Sequence, residues 1–274
     1  MAGLKAEDYL EPTCPLCNPA EAKRVTPVDL RRCIEKLDAI LARNDYAAAR
    51  RHLDYWRQEA MAGNDARGQL TIENERMGLF RKLGDEAAAR EAMETAQALV
   101  ERAGLEDTVT AGTTWLNIAT VHKSFGRPEL ALPLYEKARA IYERELEPED
   151  PRLGGLYNNM GLALVDLGRF AQARALYEKA LTIMVGQPFG ALEMAVTEEN
   201  LASLEEAELG LLEGEEAIEA HLDRAWAYLH QPELPRNGYY AFVCEKSAPT
   251  FDYYGRFLDA RELIRTAEEL YDRT

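Results

Sequence analysis

The stretch SFGRPELALPLYEKA at 124–138 returns as DLGRFAQARALYEKA at 166–180. Their glycines, Gly126 and Gly168, stand 42 residues apart. The same step backward finds Gly84 in KLGDEAAAREAMETA, and a further 40 residues back lies Asn44 in RNDYAAARRHLDYW. Forward, the series continues at Gly214 in LEGEEAIEAHLDRAW and at Gly255 in YGRFLDARELIRTA. Six turn residues therefore divide the chain into copies of forty-odd residues, and a fixed period of this size is the mark of stacked repeats.

Positions after each turn agree in most copies, with Glu219 at the fifth position of copy 5 and Trp56 and Trp226 at the twelfth of copies 1 and 5 as exceptions. Five residues on come Ala49, Ala89, Ala131, Ala173 and Ala260; twelve on come Ala96, Ala138, Ala180 and Ala267. Nine on come Leu53, Met93, Tyr135, Tyr177 and Ile264. Offsets of 5, 9 and 12 share one helical face, and the small residues there let a neighbouring helix approach closely. A second helical segment precedes each turn: Tyr157, Met160, Gly161 and Leu164, or Trp115, Ile118, Ala119 and His122, follow i, i+3, i+4, i+7. Asp150-Pro151 and Thr26-Pro27 supply helix starts. Each copy reads as helix, short turn, helix. Copy 5 has about four extra residues before Gly214, which predicts a first helix one turn longer, and Pro249 should bend or interrupt the first helix of copy 6.

The pattern Tyr157-x2-Met160-Gly161-x2-Leu164 followed by Ala173-x3-Tyr177-x2-Ala180 resembles the tetratricopeptide repeat. The longer period is similar to kinesin-light-chain-type repeats and bacterial relatives. The resemblance spans residues 27–273 and implies an all-α, right-handed α-solenoid with repeats over 27–63, 66–104, 108–147, 151–187, 190–231 and 237–273. An irregular segment, 1–26, precedes them. It also implies that the first helices line a concave groove, which in the family holds a peptide segment of a partner.

The residues expected on that groove include a row of amides. Asn117 and Asn159 each lie nine residues before their glycine, and Asn200 continues the series; Asn158 adds a fourth member and Asn74 extends the row into copy 2. An asparagine offers both donors and an acceptor, so one per repeat suits the backbone of an extended peptide. The same spacing suits bonding between neighbouring helices, and both readings stand. Arg81, Lys82 and Lys123, just before their turns, lie on the same stripe, with Glu199 and Glu206 on the corresponding face of copy 5. Residues 180–223 hold eleven acids and no Lys or Arg. This block reads either as a dock for a basic segment or as a solvated surface.

The net charge of −16 disfavours nucleic acid and anionic membrane surfaces as partners. No apolar run approaches the roughly 18 residues of a membrane span, and the first residues carry charges, as expected of a cytoplasmic protein. Cys14-Pro-Leu-Cys17 has the spacing of half a zinc site; zinc, a redox pair and an inert turn are the alternatives. Cys33 and Cys244 occupy packing positions and read as small buried hydrophobes. No P-loop, H-E-x-x-H or G-x-S-x-G signature occurs, and the expectation is a protein without catalytic activity. Six aromatics between Tyr239 and Tyr254 read as a terminal cap, which can double as a homodimer face. The function expected is a scaffold binding a protein or peptide; a peptide-sensing regulator and a zinc or redox protein are the alternatives.

Overall fold

The computed structural model describes residues 25–272. Twelve helices and no strand occur among them: α1 (Leu30–Leu41), α2 (Tyr46–Ala62), α3 (Ala66–Leu83), α4 (Glu86–Arg102), α5 (Val109–Ser124), α6 (Pro128–Glu145), α7 (Pro151–Asp166), α8 (Phe170–Met184), α9 (Gly190–Leu209), α10 (Glu215–Leu229), α11 (Gly238–Tyr253) and α12 (Phe257–Tyr271). Consecutive helices pair as six antiparallel hairpins, and the second helix of one hairpin packs on the first of the next at α2–α3, α6–α7 and α8–α9. First helices also touch one another along the row α3, α5, α7, α9, α11. The described residues form an all-α solenoid whose first helices from α3 to α11 make one continuous wall.

Local chemistry sets the helix ends. Asp29, Asp45, Asp65, Asp85, Thr108 and Asp150 each accept a backbone N–H of their helix's first turn, an N-cap contribution of about 1 kcal/mol apiece. Gly84, Gly126, Gly168 and Gly255 have φ between +66° and +82°, and Asn44 takes the same left-handed turn at φ +54°. This is the conformation that glycine adopts freely and asparagine tolerates best. Copy 5 differs from the sequence reading at this point. Its left-handed residue is Gly210, at φ +85°, while Gly214 has φ −88° and opens α10 as its N-cap. The two glycines bracket a longer turn, so the spacing of turn residues alone misplaces the hinge. The expected lengthening of the first helix is present: α9 has 20 residues against 16 in α7. Pro249 does not interrupt α11, which runs through it to Tyr253.

The core follows the offsets. Ala49, Ala89, Ala131, Ala173 and Ala260 are buried, as are Ala96, Ala138, Ala180 and Ala267. Small residues of first helices receive rings from second helices: a Cβ on Gly161 would run into the Tyr177 ring, and one on Gly112 into that of Tyr142. Tyr135 and Tyr177 are wholly enclosed, and burial raises both hydroxyls. Cys33 and Cys244 are fully buried, and burial pushes their thiols up to about 11 and about 12. The apolar core divides at α9, whose Leu201 and Leu204 join the cluster of copies 1–4 while Leu192, Ala195 and Ala202 join that of copies 5 and 6.

Where the core is interrupted, ion pairs tie helices together within and between hairpins. Buried Glu73 of α3 binds Arg57 of α2 at 2.6 Å and Arg76 of its own helix at 3.1 Å. Arg174 of α8 reaches Glu205 and, at 2.7 Å, Glu208, both of α9. Glu198 of α9 holds His221 at 2.6 Å and Arg224 at 3.0 Å, both of α10. Arg256 holds Glu219 and Asp223 at 3.1 and 2.7 Å. Much of the acidic block thus joins the fourth, fifth and sixth hairpins to one another. Glu213, Glu215 and Glu216 stay exposed.

Candidate peptide-binding groove

Because first helices touch along their row while each is backed by second helices, the open side of that row is the inner wall. The asparagines lie half-buried there. Asn117 donates from Nδ2 to Asn74 Oδ1 at 2.9 Å, joining α5 to α3. Asn74 in turn donates to Leu70 O and to Thr114 Oγ1, at 3.0 and 3.1 Å. Asn200 donates to Asn158 Oδ1 at 3.0 Å, joining α9 to α7. Asn159 donates to Gly155 O of its own helix at 2.8 Å. The structure therefore separates two roles that the sequence left together. Asn74 and Asn158 receive bonds from the next repeat. Asn117, Asn159 and Asn200 use a donor for packing, and the opposite edge of each amide carries its acceptor oxygen.

The charged candidates are distributed differently from the expected polarised stripe. Arg81 is exposed at the end of α3. Lys123 faces Asp166 of the next repeat at 3.7 Å. The Lys82 ammonium stands 5.0 Å from the Tyr46 ring centroid and 5.8 Å from that of Phe242, so the sixth hairpin has come round to the first two. Glu199 is enclosed between α9 and α11. Burial pushes its carboxyl up to about 7, with the Ser247 and Thr250 hydroxyls opposing the shift, and its Oε1 makes no well-formed hydrogen bond. Glu206 accepts from the Tyr253 and Tyr254 hydroxyls at 2.6 and 2.8 Å. Both carboxylates are thus engaged by α11 and the turn after it. Of the six aromatics, Tyr240 and Phe251 are core, whereas Tyr239, Phe242 and Tyr253 are exposed.

One element of the groove escaped the sequence reading. At the N-terminal ends of α7, α9 and α11 lies a cavity of about 320 Å³, lined among others by Arg152, Met184, Pro188, Phe189 and Tyr239. Its wall includes Gly155, whose carbonyl holds Asn159, so the cavity adjoins the amide row. The Phe189 and Tyr239 rings meet edge to face at 5.6 Å, and Tyr239 stacks on Phe242 at 6.4 Å. Phe189 has φ +60°, a conformation costing a non-glycine residue about 1–2 kcal/mol. The turn GQPFG at 186–190 announces a chain break but not the ring that it projects.

A second cleft, of about 340 Å³, opens on the far side between α4, α5 and α6. Its floor carries His122, which burial, with Arg127 and Arg90 beside it, holds below its ordinary pKa. Cys14 and Cys17 lie outside the described residues. Among the described ones no cluster of His, Cys, Asp and Glu is placed to hold a metal, and His52 is bonded to Cys33 O at 2.8 Å.

An inner wall of stacked helical hairpins with an open, polar-lined side is the architecture of an interaction scaffold. Residues 69–144 and 110–185 match the tetratricopeptide repeat family model. Residues 69–185 thus carry tetratricopeptide repeats, and the hairpins on either side continue the same all-α fold. The solved structures that the chain resembles include a variant form of a putative kinesin light chain from Podosopora anserina with nearly identical TPR-like repeats. That likeness has 17% identity and a TM-score of 0.50, over 75% of this chain and 95% of that one. Another is BtubC (BKLC) from P. vanneervenii, with 17% identity and a TM-score of 0.49 over 90% and 92%. Likenesses at this identity concern the fold. No curated protein matches the sequence. No described helix is long and apolar enough to cross a membrane.

Proposed function

We propose that this protein is a non-enzymatic scaffold that holds an extended segment of a partner protein against the inner wall, through the side-chain oxygens of Asn117, Asn159 and Asn200. The supporting observation is the fixed posture of these amides. Each commits a donor to a helix of the wall, so each amide plane is held before any ligand arrives, and preorganisation lowers the ordering cost of binding. First helices about 8–10 Å apart and a peptide rise of about 3.3 Å per residue bring one oxygen to roughly every third residue. A row of acceptors in a protein of net charge −16 suits backbone N–H groups and a segment carrying Lys or Arg. The aromatic cavity beside Asn159 would take one apolar side chain of that segment. Two buried free thiols fit a reducing cytoplasmic setting.

The test is a random-peptide display selection on the purified full chain, followed by binding of the selected peptides to an Asn117→Ala/Asn159→Ala variant. The reading expects at least a tenfold loss of affinity with the helical circular dichroism unchanged. Peptides that bind the variant as tightly as the wild type would remove it.

A further inference from the structure

The last helix presents a face built to receive another helix. Internal repetition shows what such a face does. In α8 the stripe Phe170, Arg174, Tyr177, Leu181 lies on one side of the helix, with Tyr177 packed on Gly161 of its own hairpin. Arg174 of that stripe reaches the next hairpin, where it binds Glu205 and Glu208 of α9. Counting from the turn glycines, the same positions in α12 are Phe257, Arg261, Ile264 and Glu268. No described hairpin follows, and Phe257, Leu258 and Ile264 are 56%, 77% and 47% exposed. Arg261 and Glu268 form no ion pair with any described residue. The opposite end of the solenoid is finished differently: α1 exposes Arg31, Arg32, Glu35 and Lys36, a polar surface suited to water. Of the two described ends only that of α12 is left apolar, which terminal repeats normally avoid.

We propose that α12 is a homodimer interface, and that its occupant is α12 of a second copy running antiparallel. The charge order of the stripe carries this choice. Phe257, Arg261, Ile264 and Glu268 lie at i, i+4, i+7 and i+11, on one side of the helix. A two-fold axis between positions 264 and 265 sets Arg261 of each chain opposite Glu268 of the partner subunit. Two ion pairs then flank a central contact between the isoleucines, with Phe257 and Leu258 closing over each end. This is the self-complementarity that an isologous interface requires. Head-to-tail stacking onto α1 would instead set the apolar stripe against the polar end. A single helix pair buries less than a standard interface, so association in the micromolar range is expected.

Sedimentation equilibrium of the full chain from about 1 to 100 μM tests it. The wild type is expected to approach a two-chain mass. Ile264→Arg should weaken association at least tenfold. Arg261→Glu and Glu268→Arg should each do the same alone, and mixing these two variants should restore the two-chain mass, because each ion pair is then re-formed between unlike chains. All three positions are exposed, and unchanged melting by circular dichroism confirms folding. A single-chain mass throughout, with α12 covered by residues 1–24 or left for another protein, overturns the proposal. So does a dimer insensitive to Ile264→Arg, or variants that stay monomeric when mixed.

Discussion

Asn200 and Asn158 are joined at 3.0 Å across the seam between α9 and α7, and Asn117 and Asn74 repeat the arrangement between α5 and α3. Asn159 has no such bridge and bonds its own helix. Stability and binding should therefore separate. Asn117→Ala and Asn200→Ala each lose a bond between repeats and should destabilise by about 1 kcal/mol. Asn159→Ala should cost less in urea unfolding, yet reduce peptide affinity as strongly as either. Equal losses of stability in all three would contradict the division of roles.

Close approach between first and second helices should be costly to disturb. Gly161→Ala places a methyl against the Tyr177 ring, which is enclosed on all sides, while Gly154→Ala meets the flexible end of Met184. The first should destabilise by about 1–3 kcal/mol and the second by clearly less. Thermal melts of the two variants measure the difference, and reversal of the order would be incompatible with this packing.

Glu199 gives the stability a pH dependence of known sign. Its carboxyl holds a proton up to about pH 7 in the folded state, against an ordinary 4.5. Between these values the native state binds more protons than the unfolded chain, so this residue's contribution is full below about pH 4.5 and is lost as pH rises to about 7. The loss amounts to about 3 kcal/mol. Glu199→Gln should remove it and stabilise the protein at pH 8. The measurement is urea unfolding of both proteins at pH 5 and pH 8; an unchanging difference between them would refute the assignment.

Arg174 should matter more than a surface ion pair. Its partner Glu205 is buried, and Arg174 is the main cause of that carboxyl's lowered pKa. Arg174→Met leaves the Glu205 carboxylate with only His221, at 3.5 Å, and should cost about 1–2 kcal/mol at neutral pH, a figure reduced because the arginine is itself a third exposed. Adding Glu205→Leu should recover part of the loss in equilibrium unfolding. An additive or worse double variant would speak against the coupling.

The all-α repeat was legible because its signals are local. A glycine with φ above zero, an alanine at a fixed offset and a tyrosine facing a glycine are visible within one copy and confirmed by the next. Cys33 and Cys244 were legible as core for the same reason. What escaped depends on two copies at once. Glu199 stands in an acidic run, and only the seating of α11 against α9 buries it. Gly214 continues the turn spacing, but the longer loop of copy 5 moves the left-handed residue to Gly210. Phe189 is a single ring in an irregular turn, and its meeting with Tyr239 requires α9 and α11 to be placed first. The amides were legible as a row, while the direction of each hydrogen bond was not.

Lys82, between Tyr46 and Phe242, has a mechanical consequence. A solenoid with free ends behaves as a spring, lengthening or winding tighter at little cost. Here one ammonium clasps the coil after a single circuit, so the molecule resembles a split washer with its gap pinched shut. On the proposed reading, a strand bound for the hollow would thread end-on or wait for the clasp to part, and Lys82 on the rim would set how fast it enters.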